Sequence, residues 1–185
     1  MMEQSREREL VRAAQAGDES AVEVLYRDHY NTIYRYVLLR VGGREEAEDV
    51  TSLVFLGMVR GLPRFRWKEK PFIAWLYGIA QKQVAHHFRS ASGRQAELDP
   101  GAVEEAIADT AGPDATVGQK EERLRLMVAM RMLPESQREV LMLRYVLGFP
   151  IAETAAAVGR SEGAVKQVQQ RGLATLRDVM SEGAG

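Results

Sequence analysis

Apolar residues recur at three- and four-residue intervals through most of the chain, and the alternation expected of half-buried strands is almost absent. The pattern predicts a short first helix near residues 3–16, closed by Gly17. Asp18 is placed to cap a long second helix that reaches about Val41, with Gly42-Gly43 as its stop. A third helix is expected over 44–61, ending at Gly61 and Pro63, and a fourth from Pro71 to about Arg89. Over 90–118 the periodicity lapses into Ser, Gly, Ala, Asp and Glu, with breakers at Pro100 and Gly112-Pro113. That stretch reads as a linker with room for a transient helical turn around 102–108. Four more helices follow, near 119–132, 134–146, 150–158 and 161–179. The expected fold is all-α: two small helical domains, 1–92 and 119–182, joined by an acidic flexible linker over 93–118.

Two helices carry more than one stripe. On the third, Val50, Leu53, Val54, Gly57 and Gly61 form one apolar line, and Ser52, Phe55, Leu56 and Val59 a second roughly opposite. Such a helix is either the buried centre of its bundle or docks one side on another protein. On the fourth, Ile73, Leu76, Tyr77, Ala80, Val84, His87 and Phe88 line the side expected to face the core. Trp75, Gly78, Lys82, His86 and Arg89 fall on the other side. A tryptophan there either meets a ligand or packs under the preceding loop.

Charge sharpens the picture. Residues 60–94 hold eight Lys/Arg against one Asp/Glu, while residues 95–118 hold six acidic residues and no basic one. A basic block beside an acidic one suggests a polyanion-binding face next to an acidic tether. Six of the 13 aromatic residues also lie between 60 and 89: Phe65, Trp67, Phe72, Trp75, Tyr77 and Phe88. They alternate with Arg60, Arg64, Arg66, Lys68, Lys70, Lys82 and Arg89. Cations hold phosphates and rings stack unpaired bases, which is what single-stranded nucleic acid requires.

The C-terminal third has the layout of a helix-turn-helix. Leu133-Pro134 opens a strongly apolar helix containing Val140, Leu141, Leu143, Val146 and Leu147. The short Ala-rich run Ile151–Val158 follows, then the turn Gly159-Arg160-Ser161, with Ser161 as N-cap and Glu162 in the first turn. On the last helix Val165, Val168, Gly172, Leu176 and Val179 share the core stripe. Gly163, Lys166, Gln167 and Gln170 lie outside near its start, with Arg171 alongside. Gln can read adenine edges, and Lys guanine edges or phosphates, when such a helix enters a major groove.

The absences narrow the function. The chain has no cysteine, which removes disulfides and thiolate metal sites and fits a reducing cytosol. No apolar run approaches a membrane span, and the first residues lack a signal-peptide core, so a cytoplasmic location is expected. His86 and His87 point about 100° apart on a helix and have no nearby carboxylate to complete a metal set. No nucleophile–base set or phosphate loop is present, so no catalytic residue and no cofactor is expected.

Motifs in both halves resemble one family. The run Leu133-Pro134, Gln137-Arg138-Glu139-Val140-Leu141, Arg144-Tyr145, Glu153, Ala155, Gly159, Ser161-Glu162-Gly163-Ala164-Val165-Lys166, Arg171 and Leu176-Arg177 resembles domain four of bacterial sigma factors. Ala16-Gly17-Asp18, Leu25-Tyr26, Glu46–Val50, Val54-Phe55-Leu56, Phe65-Arg66 and Phe72 with Trp75–Ala80 resemble domain two. With only these two domains, the chain is similar to the extracytoplasmic-function group.

The resemblance implies a protein that binds core RNA polymerase, directs it to promoters and helps to open the duplex. It implies a polymerase contact through Asp49, Ser52, Phe55, Leu56 and Val59. It places residues 66–70 in a −10 loop that captures a flipped base, with Arg64, Arg66, Trp67, Lys68, Lys70, Trp75, Lys82, His86 and Arg89 toward the −10 element. It places Arg160, Ser161, Glu162, Gly163, Lys166, Gln167, Gln170 and Arg171 toward the −35 element. An anti-sigma factor is implied as regulator. The chain departs from the family pattern in five places. Ser52-Leu53 replaces Gln-Glu, the 66–71 loop is about one residue longer, Lys82 replaces Asn, His86 replaces Asp, and Thr154 replaces Ile.

Overall fold

The computed structural model describes residues 2–67, 71–90, 99–102, 104 and 117–182, and all regular structure among them is helical. The first domain holds α1 (Met2–Gln15), α2 (Glu19–Val41), α3 (Arg44–Gly61) and α4 (Phe72–Ser90). A single 3-10 turn over Leu62–Arg64 follows α3. The second domain holds α5 (Val117–Met132), α6 (Glu135–Leu141), a π-helical segment (Met142–Val146), α7 (Ile151–Val158) and α8 (Glu162–Glu182).

The local signals explain most boundaries. Asp18 Oδ1 accepts from the backbone N–H of Ser20 at 2.9 Å and of Ala21 at 3.3 Å, which serves two orphan donors at the start of α2. Gly42 ends α2 at φ +98°, a backbone conformation that L side chains rarely adopt. Pro71 stands just before α4 rather than within it, and its carbonyl accepts from Trp75 N–H at 3.1 Å. The expected continuous helix over 134–146 changes pitch instead: Leu147 N–H reaches back to Met142 O at 3.0 Å, and Phe149 N–H to Leu143 O at 2.8 Å. The Arg144 guanidinium sits beside this widened turn, bonded to Phe149 O and, at 3.3 Å, to Gln169.

In the first domain α2 packs on α1 and α3, and α4 closes the bundle against α3 and α2. Leu25, Ile33, Tyr36, Phe72, Leu76 and Tyr77 are fully buried. In the second domain α8 packs on α5, α6 and α7. Gly172 sits where α8 crosses α6: a Cβ there would lie 3.2 Å from the Leu141 side chain and 3.3 Å from Gln137 Cβ. Thr154 is fully buried and donates its hydroxyl to Pro150 O at 2.9 Å.

The two domains touch. α4 packs against α7, Tyr77 and Phe149 rings stand 6.3 Å apart, and one buried cluster includes Leu25 and Tyr77 together with Leu141, Leu143 and Phe149. The described part of the expected tether is also docked. Asp99 N–H donates to Gly42 O at 3.2 Å, its carboxylate lies 3.6 Å from Arg44, and Ala102 is fully buried. Most of the expected turn around 102–108 lies outside the described residues.

Candidate nucleic-acid and polymerase interfaces

α8 is divided by its neighbours into two faces. Val165, Val168 and Gly172 are buried, Val165 and Val168 in a small cluster with Val140 and Ala155. Gly159, at φ +66°, ends α7 and turns the chain back. Ser161 then caps α8, its hydroxyl accepting from Ala164 N–H at 3.2 Å. That frame leaves Arg160, Ser161, Glu162, Gly163, Lys166, Gln167, Gln170 and Arg171 all exposed on one end of the helix. An α-helix presenting two amides and two cations beyond a glycine can lie in a major groove with its donors at base edges.

The basic face of the first domain is built on a ring stack. Phe65 stands 5.4 Å from Trp67, 5.5 Å from Phe72 and 4.8 Å from Trp75. Trp75 is half-buried in that stack, and a Cβ on Gly61 would come within 2.9 Å of its ring. Trp75 packs against Phe65 and Phe72 and keeps part of its surface exposed. Trp67 is likewise half-buried, with the Arg8 guanidinium 5.2 Å from its ring centroid. Arg64, Arg66, Lys82, His86 and Arg89 are exposed, and Arg66 folds back to donate to Pro63 O at 3.2 Å and Phe65 O at 3.0 Å. Lys68 and Lys70 lie outside the described residues.

α3 resolves its two stripes differently from the wheel. Val50, Val54, Phe55 and Met58 are buried, whereas Leu53, Leu56 and Val59 are 47%, 44% and 48% exposed. Phe55 is 4% exposed because it turns inward onto the rings of Tyr26 and Tyr30, at 4.6 and 6.0 Å. Leu53, on the line with Val50 and Val54, stands outside instead. Asp49 and Ser52 are exposed beside it. The wheel set Leu53 apart from Leu56 and Val59, whereas the three stand exposed together, because two apolar stripes do not reveal which positions the rest of the bundle covers.

Among the described residues no group of three or more His, Asp or Glu could hold a metal ion, and no helix is long and apolar enough to cross a membrane.

Known proteins share these features in the same order. The family model Sigma-70 region 2 matches residues 25–94, and the model Sigma-70, region 4 matches residues 123–176. ECF RNA polymerase sigma factor BldN of Streptomyces coelicolor is 38% identical over 180 residues, 97% of this chain and 68% of that protein. ECF RNA polymerase sigma factor SigD of Mycobacterium tuberculosis is 38% identical over 173 residues, 91% of this chain and 81% of that one. The chain belongs to the ECF RNA polymerase sigma factors. As such it associates with core RNA polymerase and directs it to promoters in transcription initiation. The fold is shared with CnrH, solved in complex with the cytosolic domain of CnrY. The two superpose with a TM-score of 0.71 at 21% identity, over 95% of this sigma factor and 97% of that chain.

Proposed function

We propose that this sigma factor divides promoter recognition between three surfaces. The outer start of α8 reads the −35 element as duplex through Gly163, Lys166, Gln167, Gln170 and Arg171, with Arg160, Ser161 and Glu162 at the turn. The basic face of the first domain takes the −10 element through Arg64, Arg66, Trp67, Lys68, Lys70, Lys82, His86 and Arg89. Trp75 serves that face from beneath. The strip of α3 holding Asp49, Ser52, Leu53, Leu56 and Val59 docks on polymerase, with Phe55 supporting it from inside.

One observation carries the reading most directly: the packed frame of α8 buries Val165, Val168 and Gly172 and leaves Arg160, Ser161, Glu162, Gly163, Lys166, Gln167, Gln170 and Arg171 facing solvent. The α3 strip supports the polymerase assignment, because Leu53, Leu56 and Val59 form apolar surface that the described residues leave exposed. In this reading the chain performs no reaction of its own and works in the cytoplasm. An anti-sigma factor covers the same surfaces, in keeping with the partner that CnrY provides for CnrH.

The test is run-off transcription with core polymerase on a promoter library. Lys166→Ala and Gln167→Ala should each relax base preference at specific −35 positions by about 1–3 kcal/mol per lost contact. If base substitutions at −35 affect variant and wild type alike, α8 does not read that element.

A further inference from the structure

The first helix lies outside the matched region-2 segment, which begins at residue 25. Yet α1 grips the stretch that leads into the proposed −10 loop. The Gln15 carboxamide Nε2 donates to two backbone carbonyls at once, Leu62 O at 2.8 Å and Phe65 O at 3.0 Å. Its two hydrogens allow one nitrogen to serve both. These carbonyls bracket the 3-10 turn, which Phe65 N–H also closes onto Leu62 O at 3.1 Å. Two helical turns earlier on the same face of α1, Arg8 lies over the Trp67 ring at 5.2 Å, and Val11 between them is fully buried.

Burial of Leu62 and Phe65 anchors the turn through its side chains, but its backbone has few polar ties of its own. No side chain caps it, and Pro63 offers no N–H. Arg66 satisfies carbonyls of its own loop and so cannot anchor it to another element. Gln15 and Arg8 therefore tie both ends of Leu62–Trp67 to a separate helix.

We infer that Gln15 and Arg8 are positioning residues for base capture at the −10 element: they hold the backbone at Leu62–Phe65 and the ring of Trp67 in place before the unpaired strand arrives. This rests on the assignment of the Trp67 loop to the −10 element. A base pocket tolerates little displacement, and ordering it in advance lowers the cost of binding.

The experiment uses reconstituted holoenzyme with Gln15→Met, Gln15→Glu, Arg8→Gln and, in parallel, Trp67→Ala. Gln15→Met keeps the bulk and removes the donor; Gln15→Glu turns an acceptor toward two carbonyls. Arg8 is exposed, so Arg8→Gln leaves folding intact whatever Gln15 variants do to it. Each is assayed for holoenzyme affinity, base preference at −35, base preference at −10 and rate of promoter opening. The expected result is a loss of about tenfold or more in −10 discrimination and opening rate, with holoenzyme affinity and −35 preference unchanged. A merely structural role would lower all four together, and that outcome overturns the inference. It also falls if Trp67→Ala reduces −10 discrimination while Gln15→Met and Arg8→Gln do not. If Trp67→Ala itself leaves −10 discrimination intact, the assignment of the loop is what fails, and the inference with it.

Discussion

Arg40 Nη1 lies 2.7 Å from Glu139 Oε2, joining the last turn of α2 to α6 across 99 residues of sequence and across the boundary between the two domains. Both side chains are buried, at 12% and 8% exposure. Glu139 also accepts from the Tyr36 hydroxyl at 3.1 Å and from Gln81 Nε2 at 3.0 Å, so α2 and α4 converge on one carboxylate of the helix-turn-helix domain. Arg40 reaches a second carboxylate, Glu135, at 2.6 Å. Burial pushes the Glu139 carboxyl above its ordinary value, with Arg40 and the Tyr36 hydroxyl pulling the other way. Glu135 is far more exposed; partial desolvation raises its carboxyl, and Arg40 and then Arg138 outweigh that and hold it below its ordinary value.

A buried pair of this kind is close to neutral against apolar replacements, but removing one partner strands the other charge. Arg40→Met should therefore lower stability by about 3 kcal/mol, and Arg40→Met combined with Glu139→Leu should recover most of it. Urea unfolding midpoints measure both. An Arg40→Met midpoint equal to wild type would mean that the pair is not formed in solution.

The same seam sets a limit on reach. Elements named −10 and −35 lie about 25 base pairs apart by their labels, or about 85 Å of duplex at roughly 3.4 Å each. A compact chain of 185 residues has a radius of gyration near 16 Å. The two proposed DNA faces can meet one promoter only if the domains part. Because the sequence holds no cysteine, Glu23→Cys and Ser181→Cys allow clean paired labelling at two exposed sites. Energy transfer between the labels should drop when holoenzyme binds a promoter with both elements. A constant transfer efficiency would contradict domain separation.

Gly172 allows α8 its close approach to α6, with Leu141 and Gln137 within 3.3 Å of where a Cβ would stand. Gly172→Val should cost about 1–3 kcal/mol by overpacking and should shift the recognition helix. Thermal unfolding of the variant, and its −35 base preference in transcription, would show the two effects together. Unchanged stability would place the crossing elsewhere.

Asp18 gives a pH-dependent signature. Its carboxyl is held below the ordinary value of 3.8 by the Ser20 hydroxyl first and then by Ala21 N–H. A carboxyl depressed in this way stabilises the folded state above its unfolded value and loses that contribution as pH falls through the lower folded value. Wild type should exceed Asp18→Ala in melting temperature at pH 6, and the gap should narrow below about pH 4. A gap that stays constant down to pH 3 would remove the charged cap from the account.

Much of this protein was written locally. Helix period, Asp18, Gly42, Gly159 and Ser161 act through neighbours a few residues away, so the bounds of α2 and α3 and the capped polar start of α8 could be read directly from residue order, while α8 runs on to Glu182, past the expected 179. The motifs of both domains were legible for the same reason. Tertiary structure decided what depends on residues far apart in sequence. It chose which stripe of α3 is covered, because Tyr26 and Tyr30 draw Phe55 inward and leave Leu53 outside. It packed Trp75 against Phe65, docked Asp99 on Gly42, fixed the turn at Leu62 through Gln15, and brought Arg40 to Glu139. Periodicity reports only that a face is apolar or polar; which partner buries it is settled by contacts that a one-dimensional pattern does not contain.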